Sequence, residues 1–139
     1  MAVEVVQFKD SEFGGFFKPD DVKSAVAIVI EPTNYEEGVP AYEEGKTENR
    51  VYADVSVFHD LAKLEEGEPE VAEDMVINKS VLAKQVKDLI GKAVVVQVEK
   101  KQPPKGNAYW TFKAVDPQVQ TQVEEYLEAR EAAANDLIG

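Results

Sequence analysis

Lys100–Lys101–Gln102–Pro103–Pro104–Lys105–Gly106–Asn107–Ala108–Tyr109–Trp110 places three ammonium groups on a proline-glycine loop directly before two aromatic side chains. An ammonium group neutralises phosphate and a flat ring stacks on any nucleobase, so this spacing suits a flexible polyanion with unpaired bases. The loop belongs to a wider basic window. Eight of the fifteen Lys and Arg residues fall between Lys79 and Lys113, where the only acids are Asp88 and Glu99, although the whole chain has a net charge of −12. Charge is therefore segregated along the sequence. Such acidity argues against a protein that coats duplex DNA nonspecifically, because those proteins are basic all over. It leaves single-strand binding open, since distant carboxylates are screened beyond about 8–10 Å at physiological salt.

Other chemistries find few residues to work with. The absence of cysteine removes disulfides, thiolate metal sites and cysteine nucleophiles, and His59 alone cannot form an imidazole cluster for zinc. A serine triad would depend on that one histidine, and nothing near it resembles a nucleophile elbow. His59 beside Asp60 is expected to be structural or exposed. Glu65–Glu66 and Glu73–Asp74 lack the ligand spacing of an EF-hand loop, and no glycine-rich phosphate loop occurs. The chain is expected to be non-enzymatic, with no cofactor and no metal. No apolar run approaches the roughly 20 residues of a membrane helix, and Met1–Lys9 lacks a secretory signal, so a cytoplasmic protein with no membrane partner is expected.

At 139 residues the chain has room for one domain with a real core. Residues 1–21 read as an irregular N-terminal arm whose Phe13, Phe16 and Phe17 pin it to the core. Ala25–Ile30 forms a first strand covered on both faces, ended by Pro32; residues 33–49, acidic and aperiodic, are expected to be a long mobile loop. Val51, Ala53, Val55 and Val57 alternate with Tyr52, Asp54, Ser56 and Phe58 in a half-solvated second strand. Residues 61–74 are acidic and irregular, and Met75–Ile77 gives a short third strand. Asn78 or Ser80 can cap a helix over about residues 81–90, which Gly91 stops. Residues 93–99 and 107–115 pair as a hairpin around the lysine-proline loop. Ala108, Trp110, Phe112 and Ala114 share its core face, and Tyr109, Thr111 and Lys113 its surface face. A helix over about residues 118–134 follows, closing on a short tip, Asp136–Leu137–Ile138.

Five strands with a helix between the third and fourth describe a mainly β domain, a five-stranded OB-fold barrel over residues 22–116, with the C-terminal helix over 117–139. Phe16–Phe17–Lys18–Pro19–Asp20 before strand 1, Ile30–Glu31–Pro32 at its end, Val51–Val57 in strand 2 and Asn107–Phe112 in strand 5 make the chain similar to bacteriophage single-stranded DNA-binding proteins. The similarity covers roughly residues 13–116. It implies an accessory protein of DNA replication or recombination that coats single strands in the host cytoplasm, neither cutting nor copying them, and contacts replication or recombination proteins.

The expected nucleic-acid contacts are Lys79, Lys100, Lys101, Lys105 and Lys113 on phosphates, with Tyr109 and Tyr52 stacking on bases. Trp110 is assigned first to the core, by its alternation with Ala108 and Phe112, and second to stacking. Sequence preference should be slight, because the chain has only Arg50 and Arg130 to read guanine. The alternative reading is an acidic protein-interaction or assembly module on the same barrel, indifferent to nucleic acid. In that case the C-terminal helix would serve as an oligomer contact; packing on its own barrel is the other option, so a homo-oligomer stays open.

Overall fold

Ala27, Ile28, Val29 and Ile30 are all wholly buried, because the strand they begin is covered on both faces. The computed structural model describes residues 15–138, and the side chains of residues 136–138 lie outside the description, with Phe13 and the rest of residues 1–14. The strands are β1 (Ala27–Pro40), β2 (Thr47–Phe58), β3 (Glu70–Ile77), β4 (Val94–Lys101) and β5 (Tyr109–Ala114); the helices are α1 (Leu61–Glu66), α2 (Ser80–Val86) and α3 (Pro117–Ile138). All ladders are antiparallel, in the order β3-β2-β1-β4-β5. The expected barrel is not closed. No ladder joins β3 to β5 among the described residues, so the sheet is open.

Two apolar layers flank this sheet. On one face Ile28, Ile30, Val51, Ala53, Val55 and Val57 meet Leu82, Ala83 and Val86 of α2. Ala27, Val29, Phe58 and Val95 point to the other face, where Val123, with Val119, Tyr126 and Leu127, covers them from α3. The rings of Phe58 and Tyr126 meet edge to face at 5.2 Å, and Arg130 clamps Glu31 with two 3.0 Å hydrogen bonds. The C-terminal helix thus packs on its own sheet. Gly67 ends α1 in a left-handed conformation (φ 67°), and a Cβ there would come within 3.4 Å of the Tyr126 ring.

The open side between β3 and β5 is filled by pieces that are not strands of the sheet. The amide of Phe17 donates to the Val76 carbonyl and that of Val76 to the Gly15 carbonyl, both at 2.8 Å, so the arm lies along β3. Phe17 is buried, its ring 5.8 Å from that of Phe112 on β5. Phe16, expected to be buried as well, is 45% exposed on the opposite side. At β5 the amide of Phe112 donates to Gln85 Oε1 of α2 at 2.9 Å, and Gln85 Nε2 donates to the Thr111 hydroxyl at 2.8 Å. Thr111 is buried as a result, against the surface position expected from alternation, whereas Ala114, expected inside, is exposed.

Residues 33–49 are not a mobile loop. They form the outer half of a β1–β2 hairpin, paired from Asn34↔Tyr52 to Pro40↔Thr47 with a bulge between Glu36 and Val39. Gly38 (φ 64°) sits in that bulge and donates to Asn49 Oδ1 at 3.0 Å. A second bulge lies opposite Asp54, whose carboxylate holds the amide of Asp74 at 3.0 Å, with Asp74 in the left-handed region (φ 53°). Neither expected cap is used at α2: Lys79 occupies the N-cap position without a side-chain bond, and Asn78 Nδ2 donates to Glu48 Oε2 at 3.1 Å.

Glu48 also accepts from Arg50 Nε at 2.7 Å, and this bond above all holds its carboxyl below the usual range of about 4.3. A depressed folded-state value means that its contribution is complete above the unfolded value and is lost as pH falls through the folded one. Glu48→Gln should therefore lower Tm at pH 6, and the gap to wild type should close as pH drops below about 4. A gap constant from pH 6 to about pH 2 would contradict this assignment.

Candidate nucleic-acid interface

The β4–β5 hairpin carries most of the expected contacts. Its register sets Lys100 opposite Trp110, Lys101 opposite Tyr109, and Gln97 opposite Lys113. Directly opposed side chains stand about 5 Å apart at Cβ, so each face of the hairpin presents an ammonium group beside a ring. On the core-facing side Lys100 Nζ lies 5.8 Å from the centroid of Trp110, within the range of cation–π attraction. Trp110 is half-buried and packs against the core layer. On the other side Tyr109 is 40% exposed, with Lys101 across from it and Lys113 farther along its own strand, both exposed. Lys105 is exposed in the loop, where Gln102 Nε2 donates to the carbonyls of Pro103 and Gly106 and ties the turn together.

The remaining expected residues lie elsewhere. Lys79 is exposed at the start of α2, a helix tied to the edge of β5 through Gln85, so it borders the same side of the sheet as the hairpin. Tyr52 does not: β1 and β4 separate its strand from β5. It is half-buried on the α3-side face of β2, in a row with Val76 and the exposed Phe16. Arg50 lies over the Phe16 ring at 5.6 Å, and Asp54 is the next side chain on the Tyr52 face. The structure therefore gathers the lysines around β5 and α2 and leaves Tyr52 apart.

Three further residues escaped the sequence reading. Tyr35, in the segment expected to be a loop, packs its ring on the core, with Lys87 Nζ 5.8 Å from its centroid. Burial first, and then its 3.1 Å hydrogen bond to Glu37, raise the Tyr35 phenol above its ordinary value. Lys84 and Lys87 lay inside the basic window, but the helical pattern only placed Lys84 and Lys87 on an outer face. The signal that would have found this site is the pairing register of the outer hairpin, which brings Tyr35 opposite Val51.

Charge pairing separates the window from the rest of the molecule. Every ion pair among the described residues uses Lys23, Lys46, Arg50, His59, Lys63 or Arg130. None uses a lysine between Lys79 and Lys113. Among the described residues no three His, Asp or Glu side chains converge to hold a metal ion, and no helix is long and apolar enough to cross a membrane. No protein family model, no curated protein and no solved structure matches this chain.

Proposed function

We propose that the protein binds single-stranded DNA without enzymatic action and with little sequence preference, coating strands in replication or recombination. The observation that carries this reading is the state of the window lysines. Among the described residues, the eight ammonium groups of the window, in a protein of net charge −12, have no carboxylate within ion-pair distance, and two of them, Lys87 and Lys100, lie against aromatic rings instead. Surface lysines of an acidic protein would ordinarily be matched by neighbouring acids; unmatched ones beside rings suit a ligand that brings both phosphate and base. Both arginines are already held, Arg50 by Glu48 and Arg130 by Glu31, which leaves no guanidinium free to read guanine. Read this way, the open sheet is an oligonucleotide-binding barrel parted along the β3–β5 side, with its phosphate contacts beside that opening.

Labelled oligo-dT titrated at several salt concentrations tests the reading. Binding should weaken with salt, with a slope of about −0.7 per phosphate neutralised. Absence of binding at low ionic strength ends it. Tyr109→Ala should weaken binding by about fivefold to tenfold, near the lower end of base-stacking values, because the ring is only partly exposed. An unchanged dissociation constant would remove Tyr109 from the interface.

A further inference from the structure

Away from the β4–β5 hairpin, between α2 and the outer half of the β1–β2 hairpin, lies a groove of about 480 Å³. Its size falls within the range of small-ligand sites, roughly 300–1,000 Å³. Lys84 and Lys87 project along one wall, and Thr47, Asn49 and Ser80 contribute hydroxyl and amide groups to the others. Neither lysine has a carboxylate partner, and the hydroxyls of Thr47 and Ser80 make no hydrogen bond among the described residues. The acids nearby are Glu48, neutralised by Arg50, Glu37, bonded to the Tyr35 hydroxyl, and Asp88, which adjoins Lys87 in sequence. The wall built by α2 therefore keeps two unmatched positive charges in a concave setting. Convex surface lysines lack that setting.

We propose that this groove is a second subsite for the strand, taking one phosphate-linked nucleotide. The phosphate lies between Lys84 and Lys87, and the sugar and base edges face Thr47, Asn49 and Ser80. The inference rests on the single-strand reading above. It adds a contact on the far side of α2 from β5, and Gln85, which binds β5, sits on the same short helix as Lys84. Charge alone would also suit an acidic peptide. The neutral donors and acceptors across the groove favour a nucleotide, whose sugar and base edges use both kinds.

The test follows backbone amide shifts of the full-length protein by NMR, with dT₁₂, dTMP and an oligoglutamate peptide as probes, beside affinity measurements on Lys84→Gln/Lys87→Gln and Lys84→Arg/Lys87→Arg. With dT₁₂ the amides of Ser80, Ala83 and Lys87 should shift saturably together with those of Lys101 and Tyr109. The glutamine pair should bind about tenfold more weakly with a salt slope shallower by about 0.7, one phosphate contact, and the arginine pair should bind like wild type. Shifts confined to the β4–β5 hairpin, with glutamine variants that bind normally, would overturn the groove and leave the single-strand reading intact. No binding of dT₁₂ at low salt would overturn both. Groove shifts with oligoglutamate or dTMP but not with dT₁₂ would assign the site to another ligand and overturn it as a strand contact.

Discussion

Lys100→Gln/Lys101→Gln/Lys105→Gln is expected to weaken oligo-dT binding by between about tenfold and a hundredfold at physiological salt, and to make the salt slope shallower by about two units. Three ammonium groups sit on one tight hairpin tip, each exposed and none paired with an acid among the described residues, so their charge is available to displace counterions from a strand. Each phosphate contact on a single strand contributes about 0.7 to the slope, and three contacts account for the expected change. The substitution leaves the core untouched, because Lys100 and Lys101 stand at the end of β4 and Lys105 in the loop. Its Tm should match that of wild type. Binding titrations from low to high salt decide the matter: equal slopes for variant and wild type would show that the hairpin tip does not meet phosphate.

The largest stability effect should come from Phe17→Ala, expected to cost about 3–5 kcal/mol. Phe17 is among the most deeply buried large side chains, and it fills the space between β3 and β5 where no strand pairing among the described residues closes the sheet. Its ring meets Phe112, and its backbone amide is fixed to the Val76 carbonyl, so the neighbouring layers cannot collapse freely into the vacancy. A cavity bounded by fixed walls places the cost toward the upper part of that range. Denaturant unfolding measures it directly. A loss under about 1 kcal/mol would mean that the arm contributes little to the core and that α2 alone closes this side. Phe16→Ala, by contrast, removes an exposed ring and should change stability little.

How much of this was legible in the sequence depends on where the apolar residues had to be. The continuous run Ala25–Ile30 indicated a strand covered on both faces, which holds from Ala27 on; the alternation from Val51 to Val57 picked out the α2-side face of β2, but the other face, expected to be half-solvated, is buried at Ser56 and Phe58, the latter beneath α3. Residues 33–49 were misread for a physical reason. The outer half of the β1–β2 hairpin is mostly solvated on both faces, so its pairing rests on backbone hydrogen bonds and imposes no hydrophobic period on the side chains. That error also hid Tyr35 and hence the groove beside α2. Thr111 was misplaced because alternation describes a strand within a sheet, whereas β5 is an edge strand whose free side is taken up by Gln85. Of the candidate contacts, the grouping of Lys100, Lys101, Tyr109 and Trp110 follows from a hairpin that the Pro103–Pro104 turn announces. The separation of Tyr52 from them follows from strand order, which no local pattern encodes.

The glutamine at the edge of β5 has a consequence for how molecules of this protein meet one another. An edge strand with free amides and carbonyls invites a neighbouring chain to extend the sheet, the usual first step toward fibrous association. Gln85 occupies the hydrogen-bonding place that such an intruder would need at Phe112, and the segment Gly15–Phe17 does the same along β3 at Val76. Both rims of the sheet are thus partly sealed from within the same polypeptide, which disfavours runaway stacking when many copies crowd together.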